Sequence, residues 1–465
     1  MKAVEVPAQS RLTLSALLGC ACAVVSFGIG AQKLGDNSFL THLATGRLML
    51  DEGIVRKDAF TWTSGGEPLV VQSWLASLLY GIIDNSFGFA GLRLLMAASA
   101  CVLGWLAWQL TDRAPSVISR VVVIAPVLVI GVHTWNERPL LLAFVFFATV
   151  MLAAERNRDP RWLAALGFLW VNIHGSWPLG IVLLFARWFG ARLDRDLDAG
   201  QDARRAVWLA GGMLAGGIAN PYGPAMLWFP FELLGRHDTL RQISEWQASS
   251  FESTWTRLFL VLLAATIFAS RRAPLRLVAP GVLFVIAALL SVRNIPIAVI
   301  VLLPLLAEGL PDLHGPDANR DSTAIRLGTV GFVAMVAMLA VLAVLPPHTS
   351  LEQYPVAAVD AMEELDLSPA GHHVLHQDFV GNYLGFRFGG VGAVWIDDRF
   401  ELHDPALVAD YVVLLRARPR WRDVIEQNQP DAVLWERDRA LVDLLITDGW
   451  SVVWADDKWV VLTPA

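Results

Sequence analysis

The stretch "GDNSFLTHLATGRLMLDEGIVRKDAFTW", residues 35–62, decides how the rest of the chain is read. It follows residues 12–32, an uncharged run about long enough to cross a bilayer, which takes roughly 20 apolar residues. A secretory signal has a shorter apolar core and a small-residue cleavage site. Residues 12–32 therefore read as a retained first helix that also directs insertion. Beyond them stand Asp36, His42, Arg47, Asp51, Glu52 and Asp58, where a short turn would suffice. "NSFLTHLATGRLML" places Phe39, Leu40, Leu43, Ala44 and Leu48 on one broad apolar side, as expected of a helix lying in the membrane interface. Asp36 is then either the cap of that helix, a role aspartate fills well, or a carboxylate presented at the membrane surface.

The chain has 465 residues, 55% apolar and 17% charged, against about 25% charged in soluble domains. The apolar residues cluster in long uncharged runs, the pattern of membrane spans. The net charge of −7 says less than where Lys and Arg fall. No long basic run or basic-aromatic patch is present, which speaks against nucleic acid as a partner. Cys20, Cys22 and Cys101 all lie in apolar runs and read as small hydrophobes, with neither a disulfide framework nor a metal-type spacing.

Positive charge recurs at Lys2 and Arg11, 113–120, 155–161, 187–205 and 271–276, with 311–326 joining them, and these segments are assigned to the cytoplasm. Between them lie "HTWNERP" (133–139), "NIHGSWP" (172–178), "NPYGP" (220–224), "SEWQ" (244–247) and "VRNIP" (292–296). Helical hairpins joining successive cytoplasmic marks put all these motifs on the outer side. The result is about eleven crossings, N-terminus inside and C-terminus outside, in the inner or plasma membrane. Residues 69–87 read as an interfacial helix, with the next crossing at about 91–111. Residues 162–191 must hold two helices in too few residues for two full spans, so the tip at His174–Gly175 stops short of the surface. Irregular backbone at that depth is tolerated only against protein or a cavity, which implies a cavity open to the outside. After the last helix, 327–347, strand-like runs ("HHVLHQ", "GAVWIDDRF", "DAVLWE", "WSVVWADD", "KWVVLTP") alternate with helix-like runs at 404–418 and 438–447. That alternation predicts a small α/β domain. The expected fold is thus a polytopic α-helical membrane domain, 1–347, including an outer loop at 33–90, followed by an extracytoplasmic α/β domain, 348–465.

An Asp after the first helix, a juxtamembrane helix, a second acid near "KDAF" and a Trp-containing segment together resemble the GT-C superfamily of polytopic glycosyltransferases. The chain also resembles a bacterial branch of it in "HLATG", "HG", "EW" and "GNYL…DDRFEL". The resemblance implies an inverting hexosyl- or pentosyltransferase. Its donor would be a polyprenyl-phosphate sugar, its acceptor a cell-envelope glycan, lipid or protein, with membrane lipid around it. The superfamily's first outer loop carries a pair of acids that helps activate the acceptor. Here the pair reads Asp36-Asn37, and Asp58 stands in for the second carboxylate.

The residue types suit that chemistry. A carboxylate base, Asp36 supported by Asp58, takes the acceptor's proton. The phosphate leaving group needs cations as charge develops, and Arg138 and Arg293 carry the guanidinium forks that fit phosphate oxygens. An Arg between apolar runs, such as Arg293, is a functional hypothesis by default; the other reading is a snorkelling interfacial Arg. Arg138 alternatively pairs with Glu137 or another acid. His42 and His174 are assigned to the same cavity, although His174 equally serves to satisfy local backbone. Glu245 binds acceptor or caps a helix. Asp397, Asp398 and Arg399 end a predicted strand, where open α/β sheets place ligands, or form a local ion pair. No Gly-rich phosphate loop follows a strand, so the donor is expected to be lipid-linked. No cofactor is expected; a divalent metal is conceivable but not indicated by the spacing. The competing functions are a transporter or flippase of a lipid-linked glycan, against which no internal repeat is visible, and a non-catalytic envelope scaffold.

Overall fold

The computed structural model describes residues 13–235, 246–316 and 322–465. Lys2, Arg11 and Glu245 lie outside the described residues.

Apolar composition and polar breaks together set the helices. Thr13 Oγ1 caps α1 (Leu14–Gly30), accepting from Ala16 N. Asp36 caps α2 (Asn37–Glu52), and α3 runs Trp74–Leu110 with a break at Gly88, whose φ of 60° interrupts the helical backbone. The two helices expected at 69–87 and about 91–111 are thus the two limbs of one broken helix. Then come α4 (Val117–Thr134), α5 (Pro139–Glu155), the short α6 (Leu163–Ile173), α7 (Pro178–Leu193), α8 (Ala199–Ile218) and α9 (Ala225–Gly235). The bundle closes with α10 (Thr254–Ala269), α11 (Leu275–Leu290), α12 (Ile295–Gly309) and α13 (Thr323–Val344). Four of the described helices are long and apolar enough to cross a membrane, and the remaining apolar helices are shorter. Many outward-facing residues on them, such as Val121, Phe185, Leu214, Val261 and Val330, are exposed and apolar, as a lipid-facing surface requires. α12 is the central helix: nearly every residue from Ile295 to Gly309 is buried.

The loop at 33–90, expected to lie on the outer side, is built on α2. Its apolar side, Phe39, Leu40, Leu43 and Ala44, is buried, and it lies between the first limb of α3 and α15 (Asp378–Phe388). At the crossing with α3 the two helices meet glycine to glycine. A Cβ on Gly46 would fall 1.9 Å from the Ser77 carbonyl oxygen, and one on Gly81 would fall 2.5 Å from the Gly46 carbonyl oxygen.

The C-terminal part starts with α14 (Val356–Glu364) and contains a four-stranded sheet. The strands are β1 (Val374–Leu375), β2 (Ala432–Glu436), β3 (Ser451–Ala455) and β4 (Trp459–Thr463), in the order β1-β2-β4-β3. β1 pairs parallel with β2, and β4 pairs antiparallel with both its neighbours. Helices α16 (Pro405–Leu415), α17 (Trp421–Asn428) and α18 (Ala440–Thr447) contribute to a second apolar core with Trp395, Val433 and Trp435.

One expected strand is not in this sheet. "GAVWIDDRF" is extended, but its partner is the outer loop. Val394 N donates to Phe60 O at 3.0 Å, Trp62 N to Val394 O at 2.9 Å and Gly392 N to Ala59 O at 3.0 Å. A second ladder joins Leu34 to the segment after α13, through Leu34 N to His348 O and Ser350 N to Leu34 O, both 2.8 Å. Backbone hydrogen bonds thus tie the C-terminal part to the outer loop on both sides of α2.

Candidate functional site

A cavity of about 450 Å³ opens where α2, the α4–α5 connection, the α6–α7 tip, the α11–α12 connection and the C-terminal part converge. Four residues singled out from sequence, His42, Arg138, His174 and Arg293, line it together. Asp36 and Asp58 stand behind its wall, and Glu245 lies outside the described residues.

Asp36 is heavily engaged. Its carboxylate accepts from Ser38 N at 3.0 Å and Phe39 N at 3.3 Å as the α2 cap. It also takes the Arg138 fork, Nε to Oδ1 and Nη2 to Oδ2, each 2.8 Å. Asp36 is therefore one partner of Arg138. Glu137 turns the other way and accepts the backbone N–H groups of Gly35 and Asp36, fixing the loop that presents the pair. Three of these four bonds fall on Oδ1 and one on Oδ2, so the cap and the guanidinium hold the carboxylate at both oxygens.

Arg293 sits in a one-turn 3₁₀ segment, Val292–Asn294, between α11 and α12. Its guanidinium lies over the Trp246 ring, 4.3 Å from the centroid. His174 ends α6, and its Nδ1 accepts from Ser176 N at 3.0 Å, which leaves Nε2 to carry the proton of the neutral ring. Gln72 packs closely on the tip: a Cβ on Gly175 would fall 1.1 Å from Gln72 Nε2, so a larger residue there would displace the end of that side chain. His42 Nδ1 is 2.9 Å from Ser77 Oγ. Burial, with Arg138 and Arg399 nearby, holds His42 down to about 4, so its ring is neutral at pH 7.

The C-terminal part contributes the remaining wall. Arg399 lines the cavity and gathers two buried acids, Asp397 Oδ2 at 2.5 Å and Asp58 Oδ1 at 2.9 Å. His403 Nε2 lies 3.1 Å from Asp397 Oδ1. Asp58 also accepts from Thr61 N and Oγ1, so it holds Arg399 and the loop turn and does not face the cavity. Burial alone would raise Asp397, but Arg399 and His403 outweigh it and hold the carboxyl well below the usual range. The local Asp–Arg pair anticipated at this turn is Asp397–Arg399. Its neighbour Asp398 faces the cavity and carries no such pairing. Burial and the adjacent Asp397 carboxylate push it up to about 8. Gln72 and Trp246 are cavity residues that sequence reasoning did not single out, and Asp398, singled out with Asp397 and Arg399 at a strand end, was not assigned to this cavity. Among the described residues, no group of three or more His, Cys, Asp or Glu is placed to hold a metal ion.

No family model and no curated protein matches the chain. Among solved structures it is similar to the archaeal oligosaccharyltransferase AglB from Archaeoglobus fulgidus in complex with an inhibitory peptide and a dolichol-phosphate. The TM-score is 0.52 at 11% identity, covering 90% of this chain and 69% of that one. This likeness shows a shared overall fold, and four of the described helices are long and apolar enough to cross a membrane.

Proposed function

We propose that the chain is a glycosyltransferase that moves a sugar from a polyprenyl-phosphate donor to a cell-envelope acceptor on the extracytoplasmic face. The observation that carries this reading is the convergence of Arg138, Arg293 and Arg399 with neutral histidines on one cavity at one end of an apolar bundle. Guanidinium groups lining a cavity are suited to charge developing on a leaving phosphate. The likeness to an enzyme whose structure holds a dolichol-phosphate supports a lipid-linked donor.

In this reading α1, the second limb of α3, α4–α8 and α10–α13 make about eleven crossings, and the N-terminus is cytoplasmic. The C-terminal part, 348–465, is extracytoplasmic and closes the cavity. Arg138 and Arg293 bind the donor phosphate, His42 and His174 contact the substrates, and Asp36 and Asp58 orient Arg138 and Arg399. Transfer is inverting, a single displacement at the anomeric carbon, and uses no cofactor; the lipid-linked sugar is a substrate. Purified protein incubated with a panel of polyprenyl-phosphate hexoses and pentoses, with an envelope extract as acceptor, should release polyprenyl phosphate. Movement of the intact donor across proteoliposomes without release would instead favour a flippase, and neither release nor movement a scaffold.

A further inference from the structure

The superfamily resemblance leaves a gap at Asn37, where a second acid is expected. In the structure Asn37 joins Arg138 to an acid from the other end of the chain. Asn37 Oδ1 accepts from Arg138 Nη2 at 3.3 Å, and Asn37 Nδ2 donates to Asp398 Oδ2 at 3.1 Å. Asp398 is held by its own backbone, N–H to Asn382 Oδ1 at 3.1 Å, and lines the cavity beside Arg138. An amide can accept from a guanidinium and donate to a carboxyl at once; a carboxylate at 37 cannot donate. An acid there would also crowd a third carboxylate against Asp36 and Asp398.

We infer that Asp398, carried by the C-terminal part, is the catalytic base of this site, and that Asn37 positions it. The inference rests on the glycosyltransferase reading. In the reaction the acceptor hydroxyl gives its proton to the Asp398 carboxylate as its oxygen bonds the anomeric carbon. The bond from that carbon to the donor phosphate oxygen breaks, and its electron pair leaves on the polyprenyl phosphate between Arg138 and Arg293. Asp36 holds the α2 cap and Arg138 and, unlike Asp398, does not line the cavity.

The charged and titratable groups around Asp398 give this assignment a pH signature. On its own loop are Asp397, Arg399 and Glu401; from elsewhere come Asp36, Arg138, Asp378 and Tyr354. His42, His174 and Arg293 face it across the cavity. Arg399 pairs with Asp397 and favours its ionised form, whereas burial and Asp397 raise Asp398 to about 8. A base acts only when ionised, so transfer should rise with pH through about 8.

The test measures release of polyprenyl phosphate from the same donor panel by the full chain in detergent, between about pH 6 and 9.5. We expect a wild-type limb rising through about pH 8, and a loss of at least about a hundredfold in Asp398→Asn with the limb abolished. Undecaprenyl phosphate binding should be retained in that variant. Asn37→Asp should move the limb to higher pH, because a like charge is added beside Asp398. If Asp398→Asn does not fold, the wild-type profile and the Asn37→Asp displacement decide the matter. A flat wild-type profile, an undisplaced limb in Asn37→Asp, or wild-type rate and profile in Asp398→Asn overturns the role of Asp398 and leaves the glycosyltransferase reading standing. Absence of release by the wild type from every donor overturns both.

Discussion

The two ends of the helical bundle use the same residue types to opposite ends. Away from the cavity, Arg113, Glu155, Arg187, Asp202 and Arg205 form one continuous ion-pair network. Arg187 bonds Glu155 at 2.5 Å and Asp202 at 3.3 Å, Arg205 bonds Asp202 at 2.7 Å, and Arg113 bridges Glu155 and Glu308. Arg187 and Arg205 are almost completely buried there. At the other end Arg138, Arg293 and Arg399 border a cavity, and one acid beside them, Asp398, has no ion-pair partner among the described residues. A closed network locks helices together, because each desolvated charge is matched by its neighbour. At the cavity the guanidinium groups have protein partners too, Asp36 for Arg138 and Asp397 and Asp58 for Arg399, but they border open space that an anion can enter. Charge in an apolar chain is thus not in itself a site; charge facing a cavity is.

The comparison can be broken by exchanging the consequences. Arg187→Ala strips Glu155 and Asp202 of their shared buried cation and should cost about 3–5 kcal/mol of stability, read as a fall in melting temperature. Polyprenyl phosphate binding by the folded fraction should be unchanged. Arg293→Ala should do the reverse, lowering transfer about 10²–10³-fold, the scale for losing one charge-stabilising donor, with the melting temperature nearly constant. If Arg293→Ala unfolds the protein as readily as Arg187→Ala does, the two ends are not different in kind.

Linkage sharpens the same point. The carboxyl of Asp398 is raised to about 8 in the folded state from an ordinary value near 3.9. The folded state therefore holds this proton more tightly. The stability it contributes is full below about pH 4 and is lost as pH rises through about 8. Relative to Asp398→Asn, the wild type should lose about 1.4 kcal/mol per pH unit across that window, seen in paired melts at pH 5, 7 and 9. Equal melting at every pH would place Asp398 in ordinary solvent. At the small end, Arg420→Ala removes exposed pairs with Asp410 and Asp423, both 3.7 Å long. It should change stability by no more than about 1 kcal/mol and transfer not at all.

Much of the bundle was legible because apolar runs and the polar breaks between them are local signals. "HG" at 174–175 and "RN" at 293–294 interrupt such runs, and both interruptions line the cavity. What escaped depended on contacts far apart in sequence. "GAVWIDDRF" has the composition of a strand, but its pairing partner is 59–62, so the α/β pattern assigned it to the wrong neighbour. Asp36 read as a cap or a base, and only the arrival of Arg138 from 102 residues away shows how its lone pairs are used. Asp398 read as one member of a local Asp–Arg cluster. Its distinction from Asp397 appears only when Arg399 is seen to take one carboxylate and Asn37, 361 residues distant, the other.

The central claim, that the cavity end receives a lipid phosphate, is tested most directly by titrating undecaprenyl phosphate onto the purified full chain in detergent and reading occupancy by native mass spectrometry. The account predicts a saturable one-to-one complex, weakened at least about tenfold by Arg293→Ala, a loss of about 1.4 kcal/mol, and untouched by Arg187→Ala. Binding that is absent in the wild type, or that Arg187→Ala weakens as much as Arg293→Ala does, would contradict it.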